Sequence, residues 1–318
     1  MATHHLKVQE PFRALFYAPF YAALARGDYA AEGVEVTLLP GAVPSLAKDS
    51  VLDRTADLAW GGPMRLLLAH DADPACPLRL FGAVVMGDPF FLVGRKPNPG
   101  FKLRDLAGMT LGTVSEVPTP WWTLQDDIRA AGIDPAAIKR VTDQTMPANA
   151  AAVAAGTLDV AQLFEPLVSQ MEAAGTGHVW QAQASRGPTS YTAFYARTDV
   201  IAAKRAAMEA MVRGLARTLT WFSEASPREI VVCIAPYFEG GDAALMARAI
   251  ARYKSVKLWT ETPRFPPEAL AQLERGMLSA GAIRRSPGFA GLVAEDVTES
   301  ALAQFQPRGS NCSARVAQ

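Results

Sequence analysis

The sequence predicts an α/β protein: two doubly wound α/β lobes joined by a two-strand hinge, with extra C-terminal helices. Three observations carry this prediction. Short apolar runs alternate with helical patterns, stop at the Pro/Gly-rich stretch 96–100, and restart after it. Two apolar segments, 90–94 and 191–196, flank the restarted portion. Beyond 199 the strands give way to amphipathic helical periodicity. Strand and helix in regular alternation is the pattern of a parallel sheet covered on both faces.

The elements follow in order. Residues 6–8 and 13–16 each qualify as part of a first strand, and the pattern does not choose between them. Residues 19–31 read as a helix, with Pro19 in the first turn, where its missing N–H costs nothing, and Gly33 as the stop. Strands are expected at 34–39, 56–60 and 78–86, with helices at 45–54 and 64–69. In the second unit, strands fall at 110–114, 138–141 and 160–164. Helices at 121–131, 149–155 and 166–174 stop at Gly132, Gly156 and Gly175. Met208, Met211, Val212, Leu215, Leu219 and Phe222 recur every three or four residues, which marks one long amphipathic helix. Further helices are expected at 227–237, 242–255 and 267–280, and residues 309–318 read as a loose polar tail. If the chain leaves the first lobe on 90–94 and returns on 191–196, lobe one is 1–92 plus 194–318 and lobe two is 93–193. A cleft then opens between them, beyond the carboxyl ends of the strands.

Composition narrows the function. The 318 residues are 50% hydrophobic and 19% charged, enough apolar material for a large core. Lys plus Arg equals Asp plus Glu at 31 each, which argues against a nucleic-acid partner bound through a basic surface. The longest apolar runs fall well short of the roughly 18 residues that a membrane span needs. Cys76, Cys233 and Cys312 share no metal-ligand spacing, and their odd count excludes a complete disulfide framework. No metal and no cofactor is expected. The first residues have no apolar segment of a secretory leader. A periplasmic location is therefore expected if a leader has been removed, and a cytoplasmic one if the chain is native in full length.

Nucleophile-elbow, zinc-protease, phosphate-loop and dinucleotide-binding motifs are all absent. Four loops at predicted strand ends carry the candidate ligand contacts. The first offers Tyr17, Pro19 and the start of a helix, whose free N–H groups favour a polar or anionic group; Phe20 in it reads as core. The second offers Trp60 for stacking, Gly61 and Gly62 for close backbone approach, and Arg65 to clamp an acid. Its plain alternative is a turn followed by a solvated arginine. The third offers Ser115, Thr119 and the adjacent pair Trp121 and Trp122, of which one packs and one is free. The fourth offers Glu165, either to accept bonds from an amine or aminopyrimidine or to satisfy the following helix. Tyr191 and Asp88 flank the hinge, and His70 beside Asp71 is either an acid/base pair or a helix-end cap.

These loops also carry a family resemblance. The segment LFYAPFYAALARGDYAAEGVEV at 15–36 resembles the opening of one branch of the type 2 periplasmic binding proteins. That branch includes the thiamin-pyrimidine synthases of yeast and solute-binding proteins for nitrate, alkanesulfonates, taurine and thiamin-pyrimidine precursors. ADLAWGG at 56–62, LRDLAGMTLG at 103–112 and AAGTLDVAQLFEP at 154–166 resemble later segments of the same branch, in the same order. The likeness spans about 10–235. It implies a bilobal fold closing on a small ligand, an ABC permease as partner, and ligand-side roles for Tyr17, Pro19, Trp60, Gly61, Ser115 and Glu165. The cysteine-rich iron motif of the yeast-type synthases is absent, and no cysteine precedes Cys76 to match the early nucleophile of the desulfinases on this fold. The expected function is capture of a small planar or anionic organic ligand for an ABC importer. The alternatives are an enzyme on the same fold (lyase, decarboxylase, desulfinase or precursor synthase) and a ligand sensor.

Overall fold

A computed structural model describes residues 3–41, 43 and 45–306; the predicted tail at 309–318 and Cys312 lie outside them. The first part runs β1 (His4–Gln9), α1 (Ala18–Ala25), α2 (Asp28–Ala31), β2 (Val34–Leu39), α3 (Leu46–Leu52), β3 (Leu58–Gly61), α4 (Met64–Ala72) and β4 (Leu78–Val85). Next come β5 (Phe91–Gly94), β6 (Thr110–Gly112), α5 (Thr119–Ala130), β7 (Lys139–Val141), α6 (Met146–Ala155), β8 (Val160–Leu163), α7 (Leu167–Ala173) and β9 (His178–Ala182). The chain finishes with β10 (Thr192–Arg197), α8 (Thr198–Ala203), α9 (Arg205–Glu224), α10 (Pro227–Ile234), α11 (Ala243–Ser255), α12 (Pro267–Ser279), α13 (Gly288–Leu292) and α14 (Glu295–Gln304).

The open choice of first strand resolves to 4–9. Leu6 and Val8 alternate inward and pair in parallel with Val36 and Leu38, whereas 15–17 form a 3-10 turn. The helix predicted over 19–31 is two helices, because Gly27 at φ 70° sits in the left-handed region and turns the chain between them. Gly132, Gly156 and Gly175 also adopt positive φ and end their helices as expected.

Two five-stranded sheets result, ordered β2-β1-β3-β10-β4 and β7-β6-β8-β5-β9. Both are mixed rather than parallel. β10 runs antiparallel to β3 and β4, and β5 runs antiparallel to β8 and β9. The reason is topological: each apolar flanking segment enters its sheet from the edge where the parallel strands end. The two passages between sheets, 86–90 and 183–191, are bonded to each other, Gln183 N to Phe90 O and Thr189 N to Met86 O, both at 2.9 Å.

Each sheet is covered on both faces. One apolar cluster runs from Leu6 and Phe20 under the first sheet, through Phe90, Phe91 and Tyr253, to Val168 and Met171 against the second. A second cluster seals the other face of the first sheet with α3, α4 and α12, and a third packs Leu124 and Ile128 of α5 on the second sheet. The long helix α9 buries its apolar stripe as the periodicity predicts. Its C-terminal carbonyls at Phe222, Ser223 and Ala225 accept bonds from the Lys254 ammonium of α11. Helix α11 reaches α7 beside the second sheet, and α12 packs on both α4 and α5, so the C-terminal layer touches both halves.

Gly214 lets α2 approach α9. A Cβ there would lie 2.7 Å from Tyr29 Cδ1 and 3.0 Å from the Asp28 carbonyl. Alanine has the better helix propensity by about 1 kcal/mol, but here the backbone must shift to admit it. We expect Gly214→Ala to lose about 1–2 kcal/mol net in urea unfolding; a gain in stability would show that the two helices are free to separate.

Candidate functional site

In each sheet the parallel strands end, and the antiparallel strand begins, at one common edge. The two edges face each other across a cleft of about 530 Å³, mouth included. Its lining comes from the loops at that edge. Pro11, Phe12, Phe16 and Tyr17 follow β1, and Gly62, Pro63, Met64 and Arg65 follow β3. Val117 and Thr119 follow β6, and Phe164 follows β8. Phe90, Ser190 and Tyr191 come from the two passages between the sheets.

Arg65 stands out electrostatically. It is half-buried in the first turn of α4, and among the described residues its guanidinium makes no hydrogen bond or ion pair. Burial lowers its pKa, against the influence of Tyr195, Tyr17 and Asp49 nearby. Around it the wall is aromatic. Phe16 meets Phe164 edge-on across the cleft at 5.3 Å, and Phe164 meets Phe90 in the same way at 5.2 Å. Tyr17 and Tyr191 are buried phenols whose pKa values burial pushes well above the ordinary range. The Ser190 and Tyr191 hydroxyls have no partner among the described residues.

Of the predicted contacts, Tyr17, Gly62, Arg65, Thr119 and Tyr191 lie in this lining. Six others lie outside it. Trp60 is 1% exposed and stacked flat on Phe20 at 4.8 Å, inside the first sheet's core. Pro19 is buried in the first turn of α1. A Cβ on Gly61 would lie 3.2 Å from the Tyr195 ring, so its small size serves an internal contact. Ser115 is exposed and donates to Glu116 at 3.3 Å. Trp121 packs in the core of the second sheet, with the Arg140 guanidinium 3.9 Å from its ring centre. Glu165 is fully buried and committed: Ser169 donates to it from N and Oγ, both at 2.9 Å, and Arg252 Nε at 2.7 Å. Its alternative reading, satisfying the following helix, describes these bonds.

The other acid/base candidates are also engaged. Asp88 pairs with Arg186 and accepts from Phe90 N at 2.9 Å. His70 Nε2 lies 3.0 Å from the Leu78 carbonyl oxygen. Burial lowers the His70 pKa from 6.5, so the fold favours its neutral ring. Stability from this group is full above about pH 6.5 and is lost as pH falls through the lowered folded value. Thermal unfolding of the wild type should therefore lose more on acidification from neutrality than that of His70→Gln; equal losses would remove His70 from the account.

Sequence reasoning missed Phe12, Phe16, Met64, Phe90, Val117 and Phe164 as lining residues. The available signal was their place in the loops that adjoin strand ends, masked by their resemblance to core.

The profile of the family described as NMT1/THI5 like matches residues 16–229. The chain belongs to the NMT1/THI5-like family. Its relatives include YtlA of Bacillus subtilis (strain 168), which carries the name of a binding protein and is 24% identical over 94% of this chain and 90% of its own. Among solved structures, the periplasmic aliphatic sulphonate binding protein SsuA of Escherichia coli superposes with a TM-score of 0.72 at 14% identity, covering 90% of this chain and 95% of that one. The desulfurization enzyme DSZB superposes with a TM-score of 0.69 at 15% identity, over 94% and 99%. At such identities the likeness shows the fold, which is that of the type 2 periplasmic binding proteins with additional C-terminal helices. Among the described residues no helix is long and apolar enough to cross a membrane, and no cluster of three His, Cys, Asp or Glu side chains is placed to hold a metal ion.

Proposed function

We propose that this NMT1/THI5-like chain is a solute-binding protein that captures a small planar or anionic organic ligand between its two halves. The observation that carries this reading is the cleft itself, walled by loops of both sheets and holding a guanidinium without a hydrogen-bond or ion-pair partner among the described residues. In this reading lobe one comprises 1–92 plus 194–318 and lobe two comprises 93–193, hinged on the paired passages at 86–90 and 183–191. Closure is favoured by the ligand's higher affinity for the state in which both walls touch it. The partner is an ABC permease, and the site of action is outside the cytoplasmic membrane, as for the periplasmic sulphonate-binding neighbour.

An enzyme on the same fold is the second reading, and DSZB is its precedent. The lining described above contains no cysteine, histidine or carboxylate, which supports binding over acid/base or thiol chemistry. Thermal unfolding with aminopyrimidines, sulfonates, aromatic carboxylates and nitrate tests the proposal. A ligand at about 100 times its Kd should stabilise by about 2.7 kcal/mol. A flat response to the whole panel would overturn the reading.

A further inference from the structure

The ligand class can be narrowed by asking what this lining leaves unsatisfied. Arg65 is the one charged side chain among the described lining residues. A half-buried guanidinium that has no ion-pair partner among the described residues, with Asp49 acting on it only from beyond contact distance, favours a ligand that brings a single negative group. A second negative group would meet no second cation. The remaining wall is dominated by rings from loops of both sheets: Phe164 meets Phe16 and Phe90 edge-on, and Phe12 packs against Phe16. A small, strongly hydrated anion would leave those faces uncovered, and a neutral ring would leave Arg65 desolvated and unpaired.

We infer that the cleft selects aromatic monoanions, an aryl ring packed against the phenyl side chains that line the cleft, with its one carboxylate or sulfonate on Arg65. This rests on the solute-binding reading above and makes Arg65 the specificity-determining residue. Ser190 and Tyr191 also line the cleft, and their hydroxyls, without a partner among the described residues, are further donors for the same ligand.

The test is calorimetric titration of the wild type, Arg65→Ala and Arg65→Lys with benzoate, benzenesulfonate, benzamide, phthalate, nitrate and an aminopyrimidine. Benzoate or benzenesulfonate should bind the wild type more tightly than the other probes. Arg65→Ala should weaken the aryl monoanions by about 10- to 100-fold while leaving benzamide within about twofold, as expected for loss of a charge-assisted bond. Arg65→Lys should recover part of the affinity, since it restores the charge without the planar fork. Tighter binding of nitrate, phthalate or the aminopyrimidine would overturn the inference and leave the solute-binding reading standing. Equal benzoate affinity in Arg65→Ala would also overturn it. Failure of every probe to bind would count against both.

Discussion

Arg186→Leu should cost about 3–5 kcal/mol of stability at neutral pH, because it strands the buried Asp88 carboxylate, and the partly buried Asp127 beside it, without their cation. Arg186 lies in the returning passage with its side chain 5% exposed, and it joins Asp88 of the outgoing passage to Asp127 of α5, the latter from Nη2 at 2.5 Å. Thr123 Oγ1 and Gln183 Nε2 also donate to Asp88, each at 3.3 Å. Burial raises the Asp88 pKa even beside Arg186, so without the guanidinium the protonated acid is favoured still more strongly. A carboxyl whose folded pKa lies above its unfolded value destabilises at high pH, and that penalty shrinks as pH falls. The deficit of Arg186→Leu in urea unfolding should therefore narrow between pH 7 and about pH 5, and Asp88→Asn should partly rescue it. A deficit below about 1 kcal/mol at pH 7 would show that this network does not anchor the junction.

Trp60→Ala should also lose about 3–5 kcal/mol, the range for a large buried aromatic. The indole stacks on Phe20 and meets Tyr21 edge-on at 5.6 Å, so truncation opens a cavity beneath the first sheet. Trp60→Phe should lose less. The informative contrast is Arg65→Ala, five positions later, whose side chain has no described partner to abandon. It should change stability by less than about 1 kcal/mol while weakening the ligand. Thermal unfolding without ligand separates the two. Similar unfolding temperatures for Trp60→Ala and the wild type would return Trp60 to the ligand-contacting residues.

The contrast also explains what was legible in the sequence. Glycines that end helices were readable because the left-handed backbone at Gly33, Gly132, Gly156 and Gly175 is a property of the residue itself. The stripe of α9 was readable because burial along a helix repeats every turn. Strand direction was not. An apolar run such as 91–94 looks the same in either sense, and only its neighbours β8 and β9 define it as antiparallel. The edge strand β9, half-buried along its whole length, and the five-residue helix α13 present too short or too mixed a pattern to register. At the cleft, each of the four loops supplies at least one lining residue, but within a loop the residue type does not tell which side chain lines the cleft. Phe164 faces the cleft while Glu165 next to it turns to Arg252, and Val117 lines it while Ser115 points to solvent. Whether a side chain at a strand end turns inward or outward depends on the opposing sheet, which no local pattern contains.

The strand order has a consequence for synthesis. β10 lies between β3 and β4, yet it is translated roughly 100 residues after β4. At about 5–20 residues per second, the first sheet waits on the order of 5–20 s with the interior place between β3 and β4 vacant. During that interval the strands β5 to β9, contiguous in sequence, can complete their own sheet. The emerging chain therefore leaves one edge of the wholly buried β3 open, its other edge being paired with β1, and leaves β4 without a strand neighbour until residues 192–197 leave the ribosome. Its vulnerability to aggregation is concentrated in that window, and chaperone demand should fall once β10 has been inserted.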